Sequence, residues 1–221
     1  MKLEVHLRKN AAIWLFLLFF WSICLAFLSL YGFDKVETHI LLNQWTTDAL
    51  DGVMTYTTHL GDGWVMLLVT IVLFFVSTRY FLNFALTGLC LTPVVYLLKH
   101  YFDKNRPFFI FEEMGRLQEI YVPEQEVIHL YSSFPSGHAA VAFAMATILA
   151  LLAREQINKF LWLLLAVFVS GSRVYLSQHF LEDILVGSFL GCLFAFLSYQ
   201  VLDFWKINQV DSPFLTWWRK K

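Results

Sequence analysis

Ala11-Ala-Ile-Trp-Leu-Phe-Leu-Leu-Phe-Phe-Trp-Ser-Ile-Cys-Leu-Ala-Phe-Leu-Ser-Leu-Tyr31 runs for 21 residues without one charged side chain. A helix of that length, at about 1.5 Å per residue, crosses the roughly 30 Å hydrocarbon core of a bilayer. Five further uncharged runs follow: Gly63 to Thr78, Phe81 to Leu98, Ala139 to Ala153, Phe160 to Ser172 and Ile184 to Leu202. Together they predict an all-α bundle of six transmembrane helices over residues 11–31, 62–79, 81–99, 138–153, 160–176 and 183–203. The second run gives only about 24 Å of helix, so it spans with Asp62 and Arg79 at the headgroups. The fifth must continue past Arg173 into Val174-Tyr175-Leu176.

Composition agrees. Of 221 residues, 58% are hydrophobic and 15% charged, against roughly 45–50% and about 25% in a soluble domain. Disorder, a collagen-like chain and a disulfide scaffold are excluded by this apolar content, by Gly plus Pro at 15 residues and by only three cysteines. A net charge of −1 gives no sign of a nucleic-acid partner. No repeat or linker divides the chain, which predicts a single domain over residues 1–221. The basic start (Lys2, Arg8, Lys9) suits a signal peptide, but the apolar stretch is too long for one and no small-x-small site follows. An uncleaved first helix is expected. Cys24, Cys90 and Cys192 fall inside spans as small hydrophobes. Pro93 is expected to kink the third span, and Gly187 with Gly191 to mark close helix contact within the bundle.

Six spans sort the loops onto two sides. One side holds Lys2, Arg8, Lys9, Arg79, Arg154, Lys159, Lys206, Arg219, Lys220 and Lys221. The other holds Lys35, Lys99, Lys104, Arg106, Arg116 and Arg173. Ten cations against six place both termini in the cytoplasm under the positive-inside rule. The outer side starts with Gly32 to Asp62, where Val36, Ile40, Trp45, Ala49, Leu50, Val53 and Met54 recur at near-helical intervals, as in a helix lying in the interface. Tyr31, Trp64, Tyr80, Tyr199, Trp217 and Trp218 at span ends suit an aromatic belt.

Three stretches on the outer side carry chemistry. In Lys99-His-Tyr-Phe-Asp-Lys-Asn-Arg106-Pro107 two cations would share a face if the third helix ran on for two turns. Phe134-Pro135-Ser136-Gly137-His138 opens directly onto the fourth span, and a helix N-terminus with a glycine attracts an anion. In Ser172-Arg173-Val-Tyr-Leu-Ser-Gln-His179-Phe-Leu-Glu-Asp183, the histidine and aspartate lie at i and i+4. On a helix the carboxylate fixes one ring nitrogen and leaves the other free to attack. Taken singly, Lys99 and Arg173 could be snorkelling anchors, Pro-Ser-Gly an ordinary cap, and His179 with Asp183 a structural pair. Gathered on one face, three cations, a helix N-terminus and an oriented histidine describe a phosphate site. His6, His39, His59 and His129 show no partner pattern and read as loop or interface residues.

In order and spacing, Lys99-x6-Arg106-Pro107, Pro135-Ser136-Gly137-His138 and Ser172-Arg173-x5-His179-x3-Asp183 resemble the three-part signature of the type 2 phosphatidic acid phosphatase (PAP2) superfamily, in its membrane branch. The resemblance implies that His179 is the nucleophile, that Asp183 orients it, and that His138 is the acid and then the base. It implies that Lys99, Arg106, Ser136, Gly137 and Arg173 hold the phosphate oxygens, with no metal and no cofactor needed. The expected activity is hydrolysis of a phosphorylated membrane lipid at the outer face of a bacterial cytoplasmic membrane. Undecaprenyl diphosphate, phosphatidylglycerol phosphate, phosphatidate and lipid A phosphates all suit it. The alternatives are a phosphotransferase and a non-catalytic anion-binding or transport protein.

Overall fold

Six alanines among the sixteen residues of Gly137–Leu152 give a helix thin enough for its neighbours to approach closely. In the computed structural model, which describes residues 10–30, 32, 34–123 and 127–207, this helix is the axis of an all-helical bundle. In chain order the helices are α1 (Ala11–Leu30), α2 (Lys35–Asn43), α3 (Asp48–Thr58), α4 (Gly63–Val76), α5 (Thr78–Phe102), α6 (Pro107–Glu113), α7 (Gly137–Leu152), α8 (Gln156–Tyr175) and α9 (Leu181–Phe204). A Cβ on Gly187 of α9 would overlap the carbonyl oxygen of Ser136, and one on Gly191 would overlap that of Ala140. The GxxxG pair therefore serves contact within the bundle, as its spacing predicts.

Each predicted span is occupied by a helix, but they are not alike. α1, α5, α8 and α9 are long and apolar enough to cross a membrane by themselves. α4, with 14 residues, meets that test only together with the segment before it, from which it is bent by 58°. α7, with 16 residues, falls short of it, and its side chains are largely buried by α5, α8 and α9. α8 starts at Gln156, four residues before the uncharged run, because its first turn tolerates Lys159, which donates to Asn10 Oδ1 at 3.1 Å. α5 continues helical through Pro93.

Two expectations are corrected. The third helix does not run on to Arg106: Asp103 adopts a left-handed conformation (φ 39°) that ends α5 at Phe102. Arg106 is then held extended ahead of Pro107, which opens α6. The segment 32–62 is also not one interfacial helix. α2 and α3 are separated at residues 44–47, and Val36 of α2 is buried with Phe111 and Phe180 beneath the loops. The N-terminus of α2 is capped by Asp34, whose Oδ1 accepts from Val36 N at 2.8 Å.

Of the cations expected on the cytoplasmic side, Lys2, Arg8, Lys9, Arg219, Lys220 and Lys221 lie outside the described residues, as do Tyr31, Trp217, Trp218 and His6. Arg79 is described: at the end of α5 opposite Lys99, it reaches the Ile207 carbonyl at 3.0 Å and Asp203 at 3.6 Å.

Candidate active site

His179 lies in the turn between α8 and α9, 1% exposed. That turn folds back on the end of α8, because the amides of Gln178 and His179 both donate to the Arg173 carbonyl, at 2.9 and 3.1 Å. One helical turn on, Asp183 Oδ2 accepts from His179 Nδ1 at 3.2 Å, from the Phe180 amide at 3.0 Å and from Ser133 Oγ at 2.5 Å. The Nδ1 proton is thereby committed to the carboxylate, leaving Nε2 unprotonated. Burial holds the His179 imidazole well below its ordinary pKa, and Arg106, Arg173 and Lys99 push the same way. The ring is a neutral base in a cationic setting.

All three cations are buried or half-buried, and all three are tethered. Lys99 Nζ donates to the Ser132 carbonyl at 2.5 Å. Arg106 reaches the Tyr131 carbonyl at 2.9 Å through Nε, and Gln178 Oε1 at 3.0 Å through Nη1. Arg173 is 4% exposed, and its Nη1 donates to Thr58 Oγ1 at 2.6 Å. Such placement is unlike a snorkelling anchor, whose head group reaches water. Ser136 caps α7, its Oγ accepting from Ala139 N at 3.4 Å, and its own amide donates to the Asp183 carbonyl at 3.0 Å. A Cβ on Gly137 would stand 3.9 Å from Lys99 Cε, in van der Waals contact, so the glycine lies directly beside the lysine. The three signature stretches, separate in sequence, thus meet at one end of the bundle around a helix N-terminus.

His138 points to a partner outside those stretches. Its Nε2 lies 2.8 Å from Asp62 Oδ1, while Asp62 Oδ2 is 3.0 Å from both His59 Nδ1 and Trp64 Nε1. Asp62 forms the break ahead of α4, and Gly61 makes the approach tight: a Cβ there would lie 3.0 Å from the His138 Cβ. Asp62 and Trp64, expected only at the headgroups and in the aromatic belt, therefore buttress the site. His59, expected to have no partner, has one.

Other site residues carry no local signature. Ser133 stands between His179 and Asp183, and Thr58 and Gln178 hold the arginines. His129 is an exposed loop residue, as expected, yet its pKa is lowered by partial burial and then by Arg106, Arg173 and Lys99, so it overlooks the cations. His39 is no surface residue: it is 1% exposed, packed against Phe111 and Phe180. Ser177 Oγ donates to the Tyr121 carbonyl at 2.8 Å, so the 3.1 Å contact with His39 Nε2 is donated by the ring, which fixes its neutral tautomer.

Known proteins share this architecture. The chain is 28% identical to an undecaprenyl-diphosphatase of Sulfolobus acidocaldarius over 211 residues, which cover 88% of this chain and 96% of that one. The crystal structure of Aquifex aeolicus LpxE matches with a TM-score of 0.66 and 27% identity, over 74% of this chain and 93% of that chain. The PAP2-type phosphatidylglycerolphosphate phosphatase of Bacillus subtilis shares the fold at a TM-score of 0.53 and 24% identity, over 88% and 96% of the two chains. With residues 76–207 also matching the model of the PAP2 superfamily, a stretch that contains all three signature segments, the chain belongs to that superfamily.

Proposed function

We propose that this protein hydrolyses the phosphomonoester or diphosphate of a membrane lipid through a phosphohistidine on His179. The observation that carries the reading is the buried Nδ1 contact of His179 with Asp183, beside Lys99, Arg106 and Arg173. In the first step Nε2 attacks phosphorus, the bond to the leaving oxygen breaks, and His138 gives that oxygen a proton. Asp62 accepts from Nε2 of His138, so the proton is given from Nδ1 of the imidazolium form, which Asp62 and the anionic phosphate of the bound substrate together stabilise. In the second step His138 takes a proton from water, the hydroxide attacks the phosphohistidine, and phosphate leaves with His179 restored. The three cations, Ser136 and the Gly137 amide stabilise charge on the equatorial oxygens, which is most of what phosphoryl transfer asks of a protein. This needs no divalent ion.

We rank polyprenyl diphosphate first among substrates, ahead of phosphatidylglycerol phosphate, phosphatidate and lipid A phosphates; the likeness to an undecaprenyl-diphosphatase over most of both chains supports that order. In the proposed orientation all six helices cross the membrane, both termini are cytoplasmic, and the site lies at the outer headgroups, where a lipid presents its phosphate with its chain still in the bilayer. Supporting it is the bias of ten cations against six, three of the six being retained for phosphate. The test is phosphate release by the purified protein from a panel of these lipids, ranked by kcat/KM. Loss of release in His179→Ala supports the reading, and unchanged release overturns it.

A further inference from the structure

An apolar cavity of about 310 Å³ lies between α4, α7 and α8. On α7 its wall is Ala142, Met145, Ala146 and Leu149, at steps of four, seven, eight and eleven from His138. On a helix these positions lie on the face directly beneath that histidine. Val69 of α4 and Leu165 of α8 face them across the gap, and the exposure of Leu60, Trp162 and Leu165, all lining residues, opens it to the bundle's outer surface. Its upper end adjoins the catalytic groups. A Cβ on Gly61 would lie 2.9 Å from the side chain of Val169, another lining residue, and 3.0 Å from the Cβ of His138.

We infer that this cavity seats a single hydrocarbon chain, the one carried by the leaving oxygen of the substrate. The inference rests on the proposed hydrolase chemistry and adds where the lipid goes. In-line displacement at phosphorus requires nucleophile and leaving group on opposite sides. α9, which carries Asp183 and follows His179, packs on α7 through Gly191 against Ala140 and Ala144. Those positions are two residues from Ala142 and Ala146, about 200° round the helix. The cavity thus opens on the side of α7 away from the nucleophile's helix, under the histidine that protonates the leaving oxygen. A second apolar cavity, between α4 and α5 and lined by Leu67, Gly88 and Leu89, touches α7 only at Val141, three residues from His138, and is the competing seat that the test must separate from the first.

The test compares dodecyl phosphate with propyl phosphate, whose leaving oxygens are chemically alike. Wild-type protein should prefer the longer chain by kcat/KM, because the added methylenes leave water only if the cavity takes them. Ala146→Phe fills the cavity and should lower the dodecyl-to-propyl ratio at least about tenfold, whereas Gly88→Leu in the second cavity should leave it within about twofold. An unchanged ratio in Ala146→Phe, or an equal fall in Gly88→Leu, overturns the inference. Should Ala146→Phe fail to fold, wild-type protein is labelled with a dodecyl phosphonate bearing a terminal diazirine. Label on Met145, Leu149 or Trp162 supports the assignment; label confined to Leu67 or Leu89, or no label on α7 and α8, contradicts it. If wild-type protein released no phosphate from either ester, the hydrolase reading would fail, and the labelling would still report the cavity.

Discussion

Asp62 Oδ1 stands 2.8 Å from Nε2 of His138, although 76 positions separate them in the chain. Asp62 also accepts from His59 and Trp64, so its carboxylate is fixed from two sides before it fixes the imidazole. In the proposed mechanism this arrangement makes Asp62 a positioning residue for proton transfer. Asp62→Asn should lower kcat for an alkyl phosphate by roughly 10- to 100-fold, a part of what a general acid contributes. The loss should shrink for p-nitrophenyl phosphate, whose leaving oxygen needs no proton. An equal loss in first-turnover release of the two leaving groups, which precedes hydrolysis of the phosphohistidine, would remove Asp62 from proton transfer to the leaving oxygen.

Asp183 should matter more, since it sets the tautomer of His179, the proposed nucleophile. Asp183→Asn should cost roughly two orders of magnitude or more in kcat with the helix content retained, by the logic of wrong-tautomer variants in catalytic triads. Ser133→Ala removes one of the three donors to the same oxygen and should cost less, within about tenfold, consistent with a single hydrogen bond. The comparison is made by steady-state kinetics on one lipid substrate.

The site's motif residues were legible because each group is local. His179 and Asp183 sit one helical turn apart, and Ser136-Gly137-His138 opens a helix directly. Asp62, Thr58 and Ser133 were not legible, since each is a lone polar residue whose partner comes from another part of the chain. The end of α5 at Phe102 was hidden for a different reason. Nothing in Asp103-Lys-Asn forbids another turn, and the chain leaves the helix so that Lys104 can accept from the Ser133 amide and Arg106 can reach Gln178. The apolar runs located the helices, yet α4 and α7 are shorter than a span, because their ends serve the site: Asp62 precedes one and Ser136 caps the other.

Burial of neutral histidines predicts a pH dependence of stability. His39 is held down to about 3 by burial, and His179 is likewise lowered. The unfolded chain binds these protons near pH 6.5 and the folded chain does not, so stability is present above that value and declines as pH falls through it. Each group contributes a slope of up to about 1.4 kcal/mol per pH unit between its unfolded and folded values. Thermal denaturation should give a flat midpoint above pH 7 and a falling one below 6. In His39→Gln the acid slope should be shallower; an unaltered slope would remove His39 from the account.

Gly191 tests the central packing. Its missing Cβ leaves room for the Ala140 carbonyl, so Gly191→Ala should destabilise the bundle by about 1–3 kcal/mol, as overpacking does. Gly171, where a Cβ would meet nothing within 4 Å, is the control and should tolerate alanine with little change in the denaturation midpoint.

The proposed charge stabilisation by Lys99, Arg106 and Arg173 in place of a divalent ion has its own readout. EDTA should leave phosphate release intact, and vanadate, which mimics the five-coordinate transition state, should inhibit. Abolition by EDTA with rescue by a divalent cation would assign the charge stabilisation to a metal.

The covalent intermediate tests the account most directly. Purified protein is mixed with a lipid substrate labelled with ³²P in the phosphoryl group that is transferred, quenched within a turnover in alkali, and digested. Label is expected on the peptide containing His179, stable in alkali and lost in acid as a phosphohistidine is, and absent from His179→Ala. Turnover by wild-type protein with no alkali-stable label under those single-turnover conditions, or label on a residue other than His179, would contradict it.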